Sequence, residues 1–134
     1  IKINILGRSN NLPIKIKKSL KEAEKKTKKN NKLIVNLAIN YGSKNEILDA
    51  CKKINFAKKK IKEKNIDKNL YKNISFPDIL IRTGGQKRLS NFMLWQLAYA
   101  EIFFMDKLWP DFTKNDLKKI IKKFHNTKRN FGAI

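Results

Sequence analysis

The first half of the chain alternates between apolar runs typical of strands and apolar residues spaced as on helices. A short apolar run at residues 3–6 precedes Gly7 and a turn-rich segment, which predicts a buried strand that leaves into a loop. Over residues 14–31 the apolar positions recur at helical spacing among lysines, which predicts an amphipathic surface helix. The nearly continuous apolar run at residues 32–40 predicts a central parallel strand that is covered on both faces.

A second helix is predicted after this strand. Ser43 and Glu46 have the spacing of a capping box, in which the serine accepts from the third helical amide and the glutamate reaches back. The apolar stripe that follows comprises Ile47, Ala50, Cys51, Ile54, Ala57 and Ile61. On this pattern Cys51 is a small core residue and not a reactive thiol.

The second half of the chain continues the alternation of strands and helices. In chain order, the pattern predicts a short helix at about residues 67–73, a buried strand at 79–82, a helix at about 91–98 and a strand at 102–105. Thr113 and Asp116 offer another cap, for a final helix. The inner face of that helix would carry Leu117, Ile120, Ile121 and Phe124. The order βαβαβαβα predicts an α/β fold, a mostly parallel sheet with helices on both faces.

Length and composition limit the class of protein. The chain has 134 residues, 41% of them hydrophobic, which is enough for the core of one domain at most. The single Cys51 excludes an internal disulfide, and the chain shows no signal peptide and no membrane-spanning apolar run, which predicts a cytoplasmic protein. Because the chain starts with Ile1 and reads as a strand from Lys2 onward, we expect a fold that is incomplete at the N-terminus.

The formal net charge of +21 raises the question of a nucleic-acid partner. The lysines are spread along every polar helix face, and the joint excess of Lys, Asn and Ile resembles a coding bias toward A and T. We therefore interpret most of the charge as solvated surface, and predict no nucleic-acid partner.

The candidate chemistry lies in residues 78–111. Only four of the 32 basic residues are arginines, and two of these, Arg82 and Arg88, lie here. Arg82 ends a predicted strand, where ligands of open parallel sheets lie, and a pair of glycines follows it. Ser90 is predicted to begin the next helix, whose N-terminus favours anions. Two guanidinium groups, a hydroxyl and a helix N-terminus predict a site for a diphosphate. The alternative is that both arginines form surface salt bridges and Ser90 only caps a helix.

Glu101 is a second candidate, because it stands among apolar and aromatic residues. A carboxylate drawn into such surroundings needs a cation or hydrogen-bond donors. A hard divalent ion held by one carboxylate and phosphate oxygens is the usual magnesium arrangement. Glu101 is therefore a candidate Mg2+ ligand, unless the helix-to-strand junction leaves it exposed.

The string IRTGGQKRLSNFMLWQLAYAEIFFMDKLWPDF at residues 81–112 resembles the C-terminal signature of the cis-prenyltransferase family. NLAINYGSKNEI at residues 36–47 resembles that family's strand-turn-helix segment, and residues 2–31 and the closing KRNFG also fit. The chain is therefore expected to be the C-terminal part of a single cis-prenyltransferase domain. The resemblance implies condensation of isopentenyl diphosphate with an allylic diphosphate, typically farnesyl diphosphate, in cis geometry and with Mg2+. The implied product is a long-chain polyprenyl diphosphate such as undecaprenyl diphosphate.

The resemblance also implies roles for residues. Arg82, Arg88 and Ser90 match the residues that hold the isopentenyl diphosphate group, and Glu101 matches the acidic residue tied to magnesium. Trp109 and Asp111 match a segment whose role is structural, near a dimer interface. The family implies a homodimer with a hydrophobic tunnel for the growing chain, and peripheral contact with membranes through the lipid product.

Several positions depart from the family pattern. The N-terminal motif with the aspartate that binds magnesium and the allylic diphosphate has no counterpart, so we expect no catalytic residue in this segment, which could be inactive alone. Gln86 replaces a usual glutamate. Residues 130–132, Asn-Phe-Gly, stand where the family has an Arg-x-Gly motif, and Arg129 lies one place early. A non-catalytic partner subunit and a small basic nucleic-acid-binding module remain as alternative functions.

Overall fold

The structure, a computed structural model, describes residues 1–72 and 74–129. The chain divides into two compact units, Ile1–Ile74 and Ser75–Ile134, and each is described by itself. The tail residues 130–132 discussed above lie outside the described residues, as does Asn73 in the predicted short helix. No helix among the described residues has the length and apolar character needed to cross a bilayer.

The first unit contains two parallel strands and three helices. They are β1 (Lys2–Leu6), α1 (Ile14–Thr27), β2 (Ile34–Ala38), α2 (Ser43–Phe56) and α3 (Glu63–Asn69). The two strands pair in parallel from Lys2 opposite Ile34 to Leu6 opposite Ala38. A parallel pair needs a crossover connection, which α1 supplies while it packs against β1. The strands and helices predicted in this half are thus confirmed, although α3 begins about four residues before its predicted start.

The prediction that β2 is a central strand covered on both faces is wrong for the described residues. In this unit β2 pairs with β1 alone. Ile34 is 51% exposed and Leu37 is 40% exposed, and residues three apart on a strand point to opposite faces. The apolar run is sufficient to form the strand. The burial of its two faces depends on which elements pack against them, and the run itself does not specify those elements.

The capping box predicted at Ser43 and Glu46 is also wrong. Gly42 is the N-cap of α2 and contributes no side-chain hydrogen bond, so Ser43 is already the first helical residue. The buried Glu46 carboxylate accepts from the Tyr41 hydroxyl at 2.5 Å and from the Tyr71 backbone amide at 2.9 Å. Glu46 therefore ties its helix to the segment after α3.

The apolar stripe of α2 is confirmed only in its first part. Ala50 and Ile54 are fully buried, and Cys51 is half-buried. Ala57 and Ile61 are exposed because the helix ends at Phe56, where the chain leaves the helical conformation. The helical periodicity in the sequence continues past the point at which the helix stops.

An ion pair joins the loop after β1 to α2. The Arg8 guanidinium donates to Asp49 from Nη2 to Oδ1 at 2.7 Å and from Nε to Oδ2 at 3.0 Å, and the Tyr71 hydroxyl donates to Asp49 Oδ2 at 2.9 Å. The bond from Arg8, opposed by partial burial and assisted by the bond from Tyr71, holds the pKa of the Asp49 carboxyl below its ordinary value. This network connects three segments of the first unit.

The stability that Asp49 provides should be lost in acid. The pKa of Asp49 is lower in the folded chain than in the unfolded chain. Its contribution to the free energy of unfolding is therefore complete when the pH is above the pKa in the unfolded chain, near 4, and is lost as the pH falls through the pKa in the folded chain. We expect Asp49→Asn to lower the free energy of unfolding at pH 7 and to flatten its decline between about pH 5 and pH 3. Urea denaturation at a series of pH values tests this, with exposed Asp111→Asn as the control. An equal loss at pH 7 and pH 3 would contradict it.

The second unit contains a further parallel pair of strands, β3 (Ile79–Arg82) and β4 (Glu101–Phe104), a short 3-10 helix at Trp109–Asp111 and α4 (Lys114–Asn126). The strand pair of each unit is parallel, and the predicted α/β fold with parallel strands is confirmed. In α4 the predicted inner face is buried at Ile120, half-buried at Phe124 and exposed at its other two positions.

The capping box predicted for α4 is confirmed. The Asp116 amide donates to Thr113 Oγ1 at 3.2 Å, and the Thr113 amide donates to Asp116 Oδ2 at 2.9 Å. Lys107 Nζ lies 2.9 Å from the same carboxylate oxygen. The ion pair with Lys107, followed by the bonds from Thr113, holds the pKa of Asp116 well below its usual range.

The helix predicted at residues 91–98 is absent, and the structure shows turns over this segment. Ser90, Asn91 and Met93 have φ values of 50°, 62° and 46°. A right-handed helix needs negative φ at consecutive residues, so these three positions exclude a regular helix at its predicted start. The connection between β3 and β4 is therefore a series of turns.

Candidate functional site

The loop that follows β3 is tied to the loop that follows β4. The Met105 amide donates to the Arg82 carbonyl at 2.8 Å, the Gly84 amide to the Lys107 carbonyl at 2.8 Å, and the Gly85 amide to the Met105 carbonyl at 2.9 Å. Gly84 and Gly85 have φ values of 88° and 72°, which favour glycine because a Cβ is strained there. The two glycines let the chain turn immediately after Arg82.

Within this turn the structure brings Arg82, Arg88 and Ser90 together, a group that we call the arginine clamp. Arg82 Nη1 donates to Ser90 Oγ at 3.0 Å and also to the backbone carbonyl of Arg88. Arg88 Nη1 donates to Gln86 Oε1 at 2.7 Å. The convergence predicted for these three residues is therefore present in the structure. Their binding of a ligand stays a prediction.

The four arginines of the chain fall into two pairs with different surroundings. Arg8 and Arg129 form ion pairs with Asp49 and Asp78, each at 2.7 Å. Arg82 and Arg88 take part in none of the ion pairs between described residues, and their hydrogen bonds go to neutral oxygens. No carboxylate of the described residues pairs with either charge, which argues against the alternative of surface salt bridges.

A helix N-terminus does not contribute to the site, contrary to the sequence prediction. Ser90 lies in the left-handed region, and the segment after it forms turns. For a residue other than glycine this conformation costs about 1–2 kcal/mol, and such residues cluster at functional sites. Here it accompanies the placement of the Ser90 hydroxyl against Arg82.

A cavity of about 230 Å3 opens beside the clamp. Its lining comprises Arg82, Arg88 and Ser90 together with Leu80, Ile81, Leu89 and Phe92. Cationic and hydroxyl groups therefore share one cavity with aliphatic and aromatic side chains. Such a cavity suits a small ligand with an anionic group and a short apolar part. The sequence interpretation missed the apolar lining, although Leu89 lies between Arg88 and Ser90 and Phe92 lies two residues after Ser90.

Glu101 lies apart from the clamp. It pairs with Ile79 at the amino end of the sheet, whereas Arg82 pairs with Phe104 at the carboxyl end. Three residue steps separate the two positions, or about 10 Å along the strands. Side chains alternate between faces of a strand, so an odd number of steps also places Glu101 and Arg82 on opposite faces.

The described residues do not by themselves fit a magnesium site. No three His, Cys, Asp or Glu side chains among residues 1–72 and 74–129 are grouped so that they could hold a metal ion. Glu101 supplies one carboxylate, and Mg2+ prefers an octahedral set of oxygen ligands.

The fold is that of an α/β protein, and the arginine clamp lies at the carboxyl end of one of its parallel strands. The family model described as "Putative undecaprenyl diphosphate synthase" matches residues 1–132. The chain belongs to this family, the cis-prenyltransferases, and the resemblance seen in the sequence is confirmed.

Individual relatives agree with this assignment. An isoprenyl transferase of Fusobacterium nucleatum is 42% identical over all of this chain and 59% of its own length. The crystal structure of a probable undecaprenyl diphosphate synthase from Campylobacter jejuni has a TM-score of 0.93 and 41% identity, over 98% of this chain and 63% of that one. Lavandulyl diphosphate synthase from Lavandula x intermedia, solved with dimethylallyl diphosphate, has a TM-score of 0.90 and 32% identity, over 98% and 60%. The chain thus spans between 59% and 63% of these relatives.

Proposed function

We propose that the chain provides the isopentenyl diphosphate site of a cis-prenyltransferase. The whole enzyme would condense isopentenyl diphosphate with an allylic diphosphate such as farnesyl diphosphate to give a long-chain polyprenyl diphosphate. The observation that carries the proposal is the arginine clamp, whose two guanidinium groups border a partly apolar cavity and pair with no carboxylate of residues 1–72 and 74–129. A guanidinium fork can donate two parallel hydrogen bonds to a phosphate group, which a diphosphate offers twice.

The chain's own residues would act by positioning. Arg82, Arg88 and Ser90 would bind the diphosphate, and the apolar lining of the cavity would hold the short hydrocarbon part. The double bond of the isopentenyl unit would then attack the allylic carbon as its diphosphate departs, and a proton would leave the resulting cation. Holding isopentenyl diphosphate, the nucleophilic substrate, in a fixed orientation lowers the entropic part of the barrier. The guanidinium groups of the clamp would stabilise the diphosphate of this substrate without having to reorganise.

The proposal also includes a metal ion, an oligomeric state and a location in the cell. Glu101 as a magnesium ligand would need oxygens beyond its own carboxylate, such as those of a diphosphate. A homodimer is supported by Trp109, which is 71% exposed beside the exposed Leu108, because such apolar surface marks interaction sites. The same proposal includes a cytoplasmic location and contact with membranes through the lipid product. It also takes the chain as the C-terminal part of one domain.

Isopentenyl diphosphate should bind to the purified chain saturably. The binding should be displaced by inorganic diphosphate and be absent with isopentenol, because the clamp recognises the anionic group. Isothermal titration calorimetry measures all three, and single-stranded DNA serves as a non-specific polyanion whose binding should fall steeply with salt. Failure of both isopentenyl diphosphate and inorganic diphosphate to bind would overturn the proposal.

A further inference from the structure

The edge of β1 that faces away from β2 is bonded to side chains and not to a strand. Toward β2, the Lys2 amide donates to the Leu33 carbonyl at 2.7 Å, and the Ile39 amide donates to the Leu6 carbonyl at 2.9 Å. Because alternate residues of a strand direct their backbone groups to opposite edges, the odd-numbered residues of this segment present theirs to the outer edge. No strand of the described residues pairs with β1 on that side.

Polar side chains of α1 take the place of a neighbouring strand at this outer edge. The Ile5 amide donates to Glu24 Oε1 at 3.0 Å, and the Ile3 amide donates to Thr27 Oγ1 at 3.0 Å. Three positions separate the two side chains, so they lie on one side of the helix. Two positions separate the two amides, so both point to the same edge. The helix thus supplies the acceptors that the carbonyl groups of a further strand would supply.

Both acceptors are held in place by contacts of their own. The Thr27 hydroxyl donates to the Ala23 carbonyl one helical turn earlier, at 2.7 Å, which leaves its oxygen to accept from the Ile3 amide. Glu24 Oε1 also accepts from Lys72 Nζ at 3.1 Å. Each acceptor is therefore fixed toward the strand and does not depend on a chance rotamer.

Further polar and basic groups border the same edge. Asn30 Nδ2 donates to the Ile1 carbonyl at 2.6 Å, next to the two bonded amides. The groove along the edge is lined by four lysines, Lys2, Lys25, Lys28 and Lys72. Backbone groups left open at a sheet edge are a template for pairing with another chain, and lysines at the edge oppose such pairing. Both features of this edge therefore act against strand addition.

We propose that Glu24 and Thr27 form an edge cap, which closes β1 against the addition of a strand and prevents association of the chain through this edge. Loss of both acceptors would leave the Ile3 and Ile5 amides to the carbonyl groups of a second copy. The edge cap belongs to the first unit alone, and it would act whether or not the arginine clamp binds a diphosphate.

Hydrogen exchange of single amides, followed by NMR, tests the edge cap directly. Thr27→Val removes the hydroxyl at nearly constant volume. It should speed exchange of the Ile3 amide at least about fivefold relative to the Ile39 amide, which is bonded across the strand pair. Thr27→Ser keeps the hydroxyl and should keep the parental rate at Ile3. Equal rates at Ile3 in the two variants would overturn the edge cap.

Sedimentation velocity at an ionic strength that screens the lysines tests the consequence for association. Glu24→Ala with Thr27→Val should associate as its concentration rises. Glu24→Gln with Thr27→Ser removes the same charge but keeps both acceptors, and should sediment as the parent chain does. In the associated variant, exchange at Ile3 and Ile5 should slow again, because a second chain supplies the acceptors.

Circular dichroism establishes that the variants are folded, and Thr27→Val alone takes the place of the double variant if that variant is not. A folded variant that sediments as the parent chain does at every concentration would overturn the proposed edge cap. Association that leaves the Ile3 amide in fast exchange would overturn it too, because the contact would then lie elsewhere.

Discussion

Replacement of both clamp arginines by lysine, Arg82→Lys with Arg88→Lys, should weaken the binding of isopentenyl diphosphate at least about a hundredfold, although the net charge of the chain is unchanged. A lysine is a point charge and cannot supply the planar pair of donors that a guanidinium offers to a phosphate. Hydrogen bonds to charged groups contribute about 1.5–3 kcal/mol each, so the loss of one at each position corresponds to roughly two powers of ten.

The two single variants should differ. Arg82 also donates to Ser90 Oγ and to the Arg88 carbonyl, so Arg82→Lys releases the loop as well as removing a ligand contact. We expect a larger loss for Arg82→Lys than for Arg88→Lys, each at least several-fold, in calorimetric titrations and as a raised apparent KM in the full-length enzyme.

Matched controls come from the other two arginines. Arg8→Lys and Arg129→Lys make the same chemical change at positions that are paired with Asp49 and Asp78. They should alter the free energy of unfolding while leaving diphosphate affinity within about twofold of the parent chain. Unchanged affinity in both clamp variants would contradict the assignment of the clamp.

The fold could be predicted from the sequence where local patterns determine the structure. The apolar runs predicted each strand that the described residues form, and the spacing of Thr113 and Asp116 predicted the start of α4. The same spacing failed at Ser43 and Glu46, because Glu46 bonds instead to Tyr41 and to the amide of Tyr71, which lies 25 residues further along the chain. A motif that competes with a long-range partner cannot be resolved from its spacing alone.

The candidate site was predictable to a similar extent. Arg82, Arg88 and Ser90 lie on one short loop, so their sequence proximity was enough to predict that they meet. The position of Glu101 depends on the register of β4 against β3, and this register is set by pairing across the sheet. The left-handed conformation of Ser90 and Asn91 could not be predicted either, because neither residue type signals this conformation as strongly as glycine does.

Gly7→Ala should destabilise the first unit by about 2–5 kcal/mol. Gly7 has a φ of 114°, where an alanine is strained by about 1–2 kcal/mol. An added Cβ would lie only 2.2 Å from the Ile39 carbonyl oxygen, which belongs to backbone that cannot rotate away as a side chain would. The backbones meet closely there because the Ile39 amide donates to the Leu6 carbonyl at 2.9 Å. Relief of the clash therefore requires the ends of β1 and β2 to separate, at a further cost of about 1–3 kcal/mol.

Gly84→Ala is the control that separates strain from steric conflict. Its φ of 88° also favours glycine, but an added Cβ there would meet nothing within 4 Å. We expect Gly84→Ala to cost only the conformational part, about 1–2 kcal/mol, in urea denaturation followed by circular dichroism. Equal losses in the two variants would show that the close approach at Gly7 contributes nothing. A larger loss at Gly7 would show that this glycine is required because two strand ends approach closely, a requirement that the dihedral angle alone does not explain.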